Sequence, residues 1–162
     1  MTAERIASIM RSDFPTLGPS TPIRRAIALL VHARAAAAPV IGDDDRLVGI
    51  LTQKDCFRPA LHASYYREWS GCVADHMTRT VISVDAQDEL IKVAEMFLDL
   101  PHRVFPVRDG PRIVGLIHRS DILAQLIRLG RSGLGELRGH VQITIPGPSR
   151  GPGPRPGGGP KA

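Results

Sequence analysis

No run of about 18 uncharged apolar residues occurs in the chain, which excludes a membrane-spanning helix. The opening residues, Met1-Thr2-Ala3-Glu4-Arg5, lack the apolar stretch of a secretion signal, so a cytoplasmic protein is expected. Cysteine is scarce. Cys56 and Cys72 form neither a CxxC pair nor part of a ligand series, and are expected as two reduced thiols. Catalytic signatures are also missing. The six histidines are scattered, and there is no HExxH, no Cys/His series and no P-loop glycine–lysine motif. No nucleophile stands beside a base, so an enzyme is not indicated. Excess charge is missing from the body of the chain. Of the net +5, four charges lie beyond residue 130, where Arg131, Arg138, Arg150, Arg155 and Lys161 face Glu136 alone. The first 130 residues hold 16 basic and 15 acidic side chains, which speaks against a nucleic-acid-binding body.

What is present is a repetition. Residues 10–57 and 77–123 carry one pattern twice: Met10/Met77, Leu17/Val84, Ala26/Val93, Leu30/Phe97, Pro39-Val40/Pro106-Val107, Gly49-Ile50-Leu51/Gly115-Leu116-Ile117 and Asp55/Asp121. The offset is 67 through Pro39/Pro106 and 66 from Gly49/Gly115 onward, a slip of one residue in a turn. A register held over two whole copies identifies an internal repeat.

Each copy reads as βαββα. Thr21-Pro22 suits an N-cap and first helical position, and Ile23, Ala26, Ile27, Leu30 and Val31 recur at helical spacing. Ala37–Ile41 and Leu47–Thr52 are short apolar runs around Gly42-Asp43-Asp44-Asp45, a hairpin signal. A helix opens near Thr52–Asp55. In the second copy the strand is expected at Val81–Val84, the helix from Asp85 or Asp88 to about Leu100, a hairpin around Asp109-Gly110-Pro111, and a last helix to about Leu129. One such unit has a sheet face it cannot cover, so the expected fold is α/β (α+β), two repeats packed face to face about a pseudo-two-fold axis. The expected division is 1–69 for the first repeat with its linker, 70–130 for the second, and 131–162 for a basic tail. Twelve of the fifteen residues from Pro146 to Pro160 are Pro or Gly, a composition expected to be disordered. The linker Phe57–Asp75 holds Tyr65, Tyr66 and Trp69, which cover either the inter-repeat groove or a second subunit.

The local motif with most chemistry is Gly49-Ile50-Leu51-Thr52-Gln53-Lys54-Asp55. Thr52 and Asp55, three apart at a helix start, make a capping box. They can equally serve a ligand, Asp55 accepting from a ribose diol while Thr52 and the helix N-terminal amides hold phosphate. The second copy reads Gly115-Leu116-Ile117-His118-Arg119-Ser120-Asp121. Here His118, Arg119 and Ser120 are either phosphate donors or an exposed helix start. Binding in this copy is expected to tighten on acidification, as His118 gains charge, and binding in copy one is not.

These paired motifs resemble a tandem cystathionine-beta-synthase (CBS) domain pair, or Bateman module, over about residues 3–129. The resemblance implies a stand-alone regulatory module, often a homodimer, that binds an adenosine-containing ligand such as AMP, ADP, ATP, S-adenosylmethionine or NAD. It assigns ribose contacts to Asp55 and Asp121, and phosphate contacts to Thr52. Base contacts fall near Phe14, Pro15, Thr16 and Ala38, and in copy two near Val81, Ile82, Ser83 and Phe105. Some members hold phosphate with a His-Arg pair before the Leu-Pro-Val strand. His102-Arg103 stands one residue too far from Pro106 for that pattern, so Arg103 alone is carried over. The regulated protein is not named by the sequence. The other reading is a ligand-free module that acts through dimerisation.

Overall fold

The computed structural model describes residues 3–133, and side chains through residue 130. The expected tail disorder lies outside the described residues. A 3-10 turn at Ile6–Ser8 leads to α1 (Ile23–His32), β1 (Ala37–Ile41), β2 (Leu47–Thr52) and α2 (Gln53–Tyr66). Then come α3 (Val73–His76), β3 (Val84–Asp85), α4 (Leu90–Asp99), β4 (Val104–Asp109), β5 (Arg112–His118) and α5 (Arg119–Gly133). Both repeats are βαββα, with β1–β2 and β4–β5 antiparallel hairpins. β3 lies parallel to β4, Val84 opposite Val107, and in the first repeat the same role shrinks to a bridge between Leu17 and Val40.

Several boundaries differ from expectation, each for a local reason. α1 starts at Ile23 with Pro22 at the cap and no capping side chain. The chain there is held extended by pairing with the segment before α3: Val73 N–H donates to Thr21 O at 2.9 Å and Ile23 N–H to Gly71 O at 3.2 Å. α4 starts at Leu90, because Asp88 instead closes the turn on the Asp85 amide (2.9 Å) and pairs with Lys92 (2.7 Å). Residues 81–83 are not strand. The stretch read as linker continues α2 from Phe57 to Tyr66, ending where Arg67 turns left-handed at φ +53°. Tyr65 (83 % exposed), Tyr66 (71 %) and Trp69 (40 %) therefore stand in solvent and do not cover the inter-repeat groove.

Three clusters form the core. One joins α1, β1 and β2 and recruits Val73 and Met77 from the lead-in at the start of the second repeat. Its counterpart joins α4, β4 and β5 and recruits Ile6 from the lead-in at the start of the first. The third sits at the junction and is built from equivalent pairs: Ala37 and Val104, Ile50 and Leu116, with Phe14 and Val81 packed against them. Each lead-in segment thus belongs to the other repeat. Ile50 and Thr78 exchange two backbone hydrogen bonds of 2.9 Å, and Arg11 and Leu116 exchange bonds of 2.8 and 2.9 Å.

This exchange explains the glycine kept in both copies. A Cβ on Gly49 would lie 2.6 Å from Met77 Sδ and 2.9 Å from the Thr78 carbonyl oxygen. On Gly115 it would lie 2.7 Å from Met10 Sδ and 3.0 Å from the Arg11 carbonyl oxygen. Methionine tips can swing away, but a paired backbone cannot. Gly49→Ala and Gly115→Ala are each expected to cost about 1–3 kcal/mol of stability in urea unfolding. A variant as stable as the parent would show that the lead-in segments do not pack on these strands.

Candidate functional site

The start of α2 is built by its own sequence. Thr52 is the N-cap in extended conformation, its hydroxyl accepting from Asp55 N–H at 3.2 Å while Asp55 Oδ2 accepts from Thr52 N–H at 3.0 Å. The reciprocal pair satisfies amides that a helix N-terminus leaves open. Asp55 Oδ2 also accepts from the Thr78 hydroxyl at 3.4 Å, a contact made by the exchanged lead-in of the second repeat. One turn along, Cys56 Sγ–H donates to Thr52 O, and burial, with the Asp55 charge, pushes this thiol up to about 11.

A cleft of about 520 Å³ opens at this helix start. The first repeat lines it with Ala36, Ile50, Thr52, Gln53, Lys54 and Phe57. The second contributes Thr78, Thr80, Val81, Ile82, Pro101, His102, Arg103, Val104 and Pro106. The polar helix start of one repeat therefore faces the apolar Val81-Ile82 segment of the other. Of the sequence-predicted residues, Thr52, Val81, Ile82 and Arg103 meet here, and Asp55 is bonded to two lining residues, Thr52 and Thr78. Ala38 and Phe105 are fully buried in the core, outside the lining. Phe14, Pro15, Thr16 and Ser83 also lie outside it. Sequence reasoning missed Lys54, Phe57, Thr78, Thr80 and His102. The signal for Thr78 was its register with Arg11 directly after the repeated methionine.

The second helix start is built differently. His118 N–H approaches Asp121 Oδ2 at 3.4 Å, but a histidine has no hydroxyl to return the cap. Both oxygens of Asp121 are instead taken by Arg11, Nε to Oδ2 at 3.0 Å and Nη2 to Oδ1 at 2.9 Å. Arg119 and Ser120 are exposed. His118 Nδ1 is buried without a hydrogen-bond partner, 3.6 Å from Asp121 Oδ2. Burial first, and then the Arg11 charge, hold its pKa below the usual histidine value, with Asp121 opposing. The cationic form expected of His118 is the form its surroundings disfavour. Among the described residues no group of His, Cys, Asp and Glu could hold a metal ion, and no helix is long and apolar enough to cross a membrane.

The CBS domain family model matches twice, over residues 6–61 and 73–128. The chain belongs to the CBS domain family. Among curated relatives, the uncharacterized protein MJ1225 of Methanocaldococcus jannaschii is 28% identical over 76% of this chain and 43% of its own length. CBSX1 of Arabidopsis thaliana, a chloroplastic CBS domain-containing protein, is 25% identical over 76% and 63%. The chain thus spans less than two-thirds of both. Hypoxic response protein 1 of Mycobacterium tuberculosis is 28% identical over 78% of this chain and 86% of its own. Among solved structures, CBSX2 in complex with AMP superposes with TM-score 0.68 at 24% identity, covering 78% of this chain and 98% of that one. The CBS-domain protein ATU1752 of Agrobacterium tumefaciens gives 0.66 at 21% identity, covering 76% and 99%. The fold of this chain is the CBS-pair fold in outline.

His118 supplies a pH dependence whose sign is set by the lowered pKa. Below about pH 6.5 the unfolded chain takes a proton that the folded site resists, so stability falls on acidification. His118→Gln is expected to lose less stability than wild type between about pH 7.5 and pH 5.5, read from urea midpoints. Equal losses would show that other groups carry the acid sensitivity.

Proposed function

We propose that this CBS pair is a regulatory module that binds an adenine nucleotide in the cleft at the start of α2. The observation that carries the reading is the composition of that cleft. Lys54 and Arg103 line it, and neither side chain has a carboxylate partner among the described residues. A cleft with two unpaired cations, a helix N-terminus and an apolar wall suits a ligand with phosphate at one end and a flat base at the other. Adenine packs against Ile50, Val81 and Ile82. The ribose diol donates to Asp55, whose Oδ1 accepts no hydrogen bond from the described residues, and phosphate meets Thr52, Lys54 and Arg103. The AMP held by CBSX2, a protein of the same fold, supports an adenine nucleotide over other anions. ADP, ATP, S-adenosylmethionine and NAD share the adenosine part and are discriminated by the groups attached beyond the ribose. The role is binding rather than catalysis, and the output passes to a partner protein. Both cysteines are free thiols, which supports a reducing, cytoplasmic setting.

The module further associates as a homodimer through its helical faces. Exposed apolar residues recur at equivalent positions in the two repeats: Val31 with Leu98, Phe57 with Leu123, and Leu61 with Ile127. A surface that repeats about the pseudo-two-fold is suited to an isologous contact with a second copy. Tyr65 lies one turn beyond Leu61 on α2 and extends the same stripe.

Titration calorimetry with AMP tests the first part. Asp55→Asn is expected to weaken AMP by about 10- to 150-fold, the worth of about 1.5–3 kcal/mol for hydrogen bonds to a charged acceptor. A wild-type chain that AMP neither binds nor stabilises would leave the ligand-free dimerisation module as the reading. Sedimentation tests the second part: wild type is expected as a dimer at tens of micromolar, and Leu61→Glu with Ile127→Glu as a monomer. A monomeric wild type at high micromolar concentration overturns the dimer.

A further inference from the structure

We propose that Arg11 sets the number of nucleotides this chain holds, by occupying the carboxylate at the second helix start so that only the cleft at α2 stays open. The inference rests on the nucleotide reading of that first cleft and concerns the other half of the molecule. The two repeats place the same backbone pairing beside each helix start, Thr78 with Ile50 and Arg11 with Leu116. What differs is the side chain delivered there. Thr78 brings one hydroxyl, 3.4 Å from Asp55 Oδ2, and leaves Oδ1 without a partner. Arg11 brings a guanidinium whose Nε and Nη2 take both oxygens of Asp121 at 3.0 and 2.9 Å.

A fork-on-fork pair of this kind uses two charge-assisted bonds in parallel, the geometry in which arginine binds carboxylates best. A ribose diol offers two neutral donors for the same two oxygens. To bind, it must displace charged donors by weaker ones and leave the guanidinium to find another place. The Arg11 amide and carbonyl are bonded to Leu116 at 2.8 and 2.9 Å, so the guanidinium is always delivered beside Asp121 from a fixed backbone position. The neighbouring position adds to the difference. Where the first repeat offers the Thr52 hydroxyl, the second has His118, half-buried, with its Nδ1 unpartnered. Asp55 and Asp121 both lie outside the linings of the two described clefts, but the residues that flank Asp55, Thr52 and Thr78, line the cleft of about 520 Å³, whereas their equivalents His118 and Arg11 line neither. The pair is half-exposed on its arginine side, so its contribution to stability is small. Its consequence is for access of a ligand.

Replacing Arg11 by the residue that stands at its equivalent position is the direct test. Full-length wild type titrated with AMP is expected to take up one molecule per chain, and Arg11→Thr two, with the melting temperature almost unchanged. Arg11→Gln, which keeps the length and removes the charge, serves if the threonine variant fails to fold, and is expected to give the same gain. In Arg11→Thr with Asp55→Asn, one AMP per chain remains at concentrations where Asp55→Asn alone binds none. A wild type that binds two AMP overturns the inference and leaves the first cleft intact as a site. A folded Arg11 variant that still binds one also overturns it. If wild type binds no AMP, the reading of the first cleft fails. The role of Arg11 is then decided by whether Arg11→Thr gains one site or none.

Discussion

The exchange of lead-in segments between the repeats is the contact on which the rest of the structure depends. Residues before each repeat pair with the last strand of the other, Arg11 on Leu116 and Thr78 on Ile50. Ile6 fills the second core and Val73 the first, so neither hydrophobic cluster is complete with the residues of one repeat alone. The close approach requires Gly49 and Gly115, where a side chain would meet a paired backbone carbonyl. The same exchange carries the residue after each methionine to the carboxylate that opens a helix. Fold and site are therefore fixed by one set of backbone hydrogen bonds.

How much of this was legible in the sequence depends on the range of the interactions involved. The repeat, the hairpins and the helix starts rest on contacts between near neighbours, and they were readable from spacing. The capping box of Thr52 and Asp55 needs residues three apart and appears as its pattern suggests. The cleft was only half legible, because its walls come from different repeats. Thr52 and Val81 were both marked, yet nothing in the local pattern says that they face one another. Ala38 and Phe105 were assigned base contacts only through the family resemblance, and hydrophobic burial claims them for the core. The boundaries of α1 and α4 shifted for the same reason. Long-range pairing with residues 71–73 and the Asp85–Asp88 turn overrode local capping preference.

Pseudo-symmetry of the backbone does not imply symmetry of the chemistry. Two helix starts share a fold, a glycine and an aspartate, but their electrostatic states differ. At α2 the carboxylate meets hydroxyl and amide donors, and the cations Lys54 and Arg103 line the cleft with no carboxylate partner among the described residues. At α5 the carboxylate meets a guanidinium, and beside them stands a histidine whose pKa is lowered by burial and by the Arg11 charge. The first arrangement leaves positive charge in the cleft, as the proposed nucleotide site requires. The second spends it inside the protein.

This asymmetry extends to the helical surface. Phe57 lines the α2 cleft and is also two-thirds exposed, on the stripe it shares with Leu61. Any molecule filling the cleft touches a residue that belongs to the apolar face. Its equivalent, Leu123, carries the same exposed apolar character but lies outside the described clefts. On the proposed reading, a ligand at α2 would therefore touch the apolar face at Phe57 and leave Leu123 untouched. In the proposed dimer, a ligand in the α2 cleft would reach the interface through Phe57 and not through Leu123.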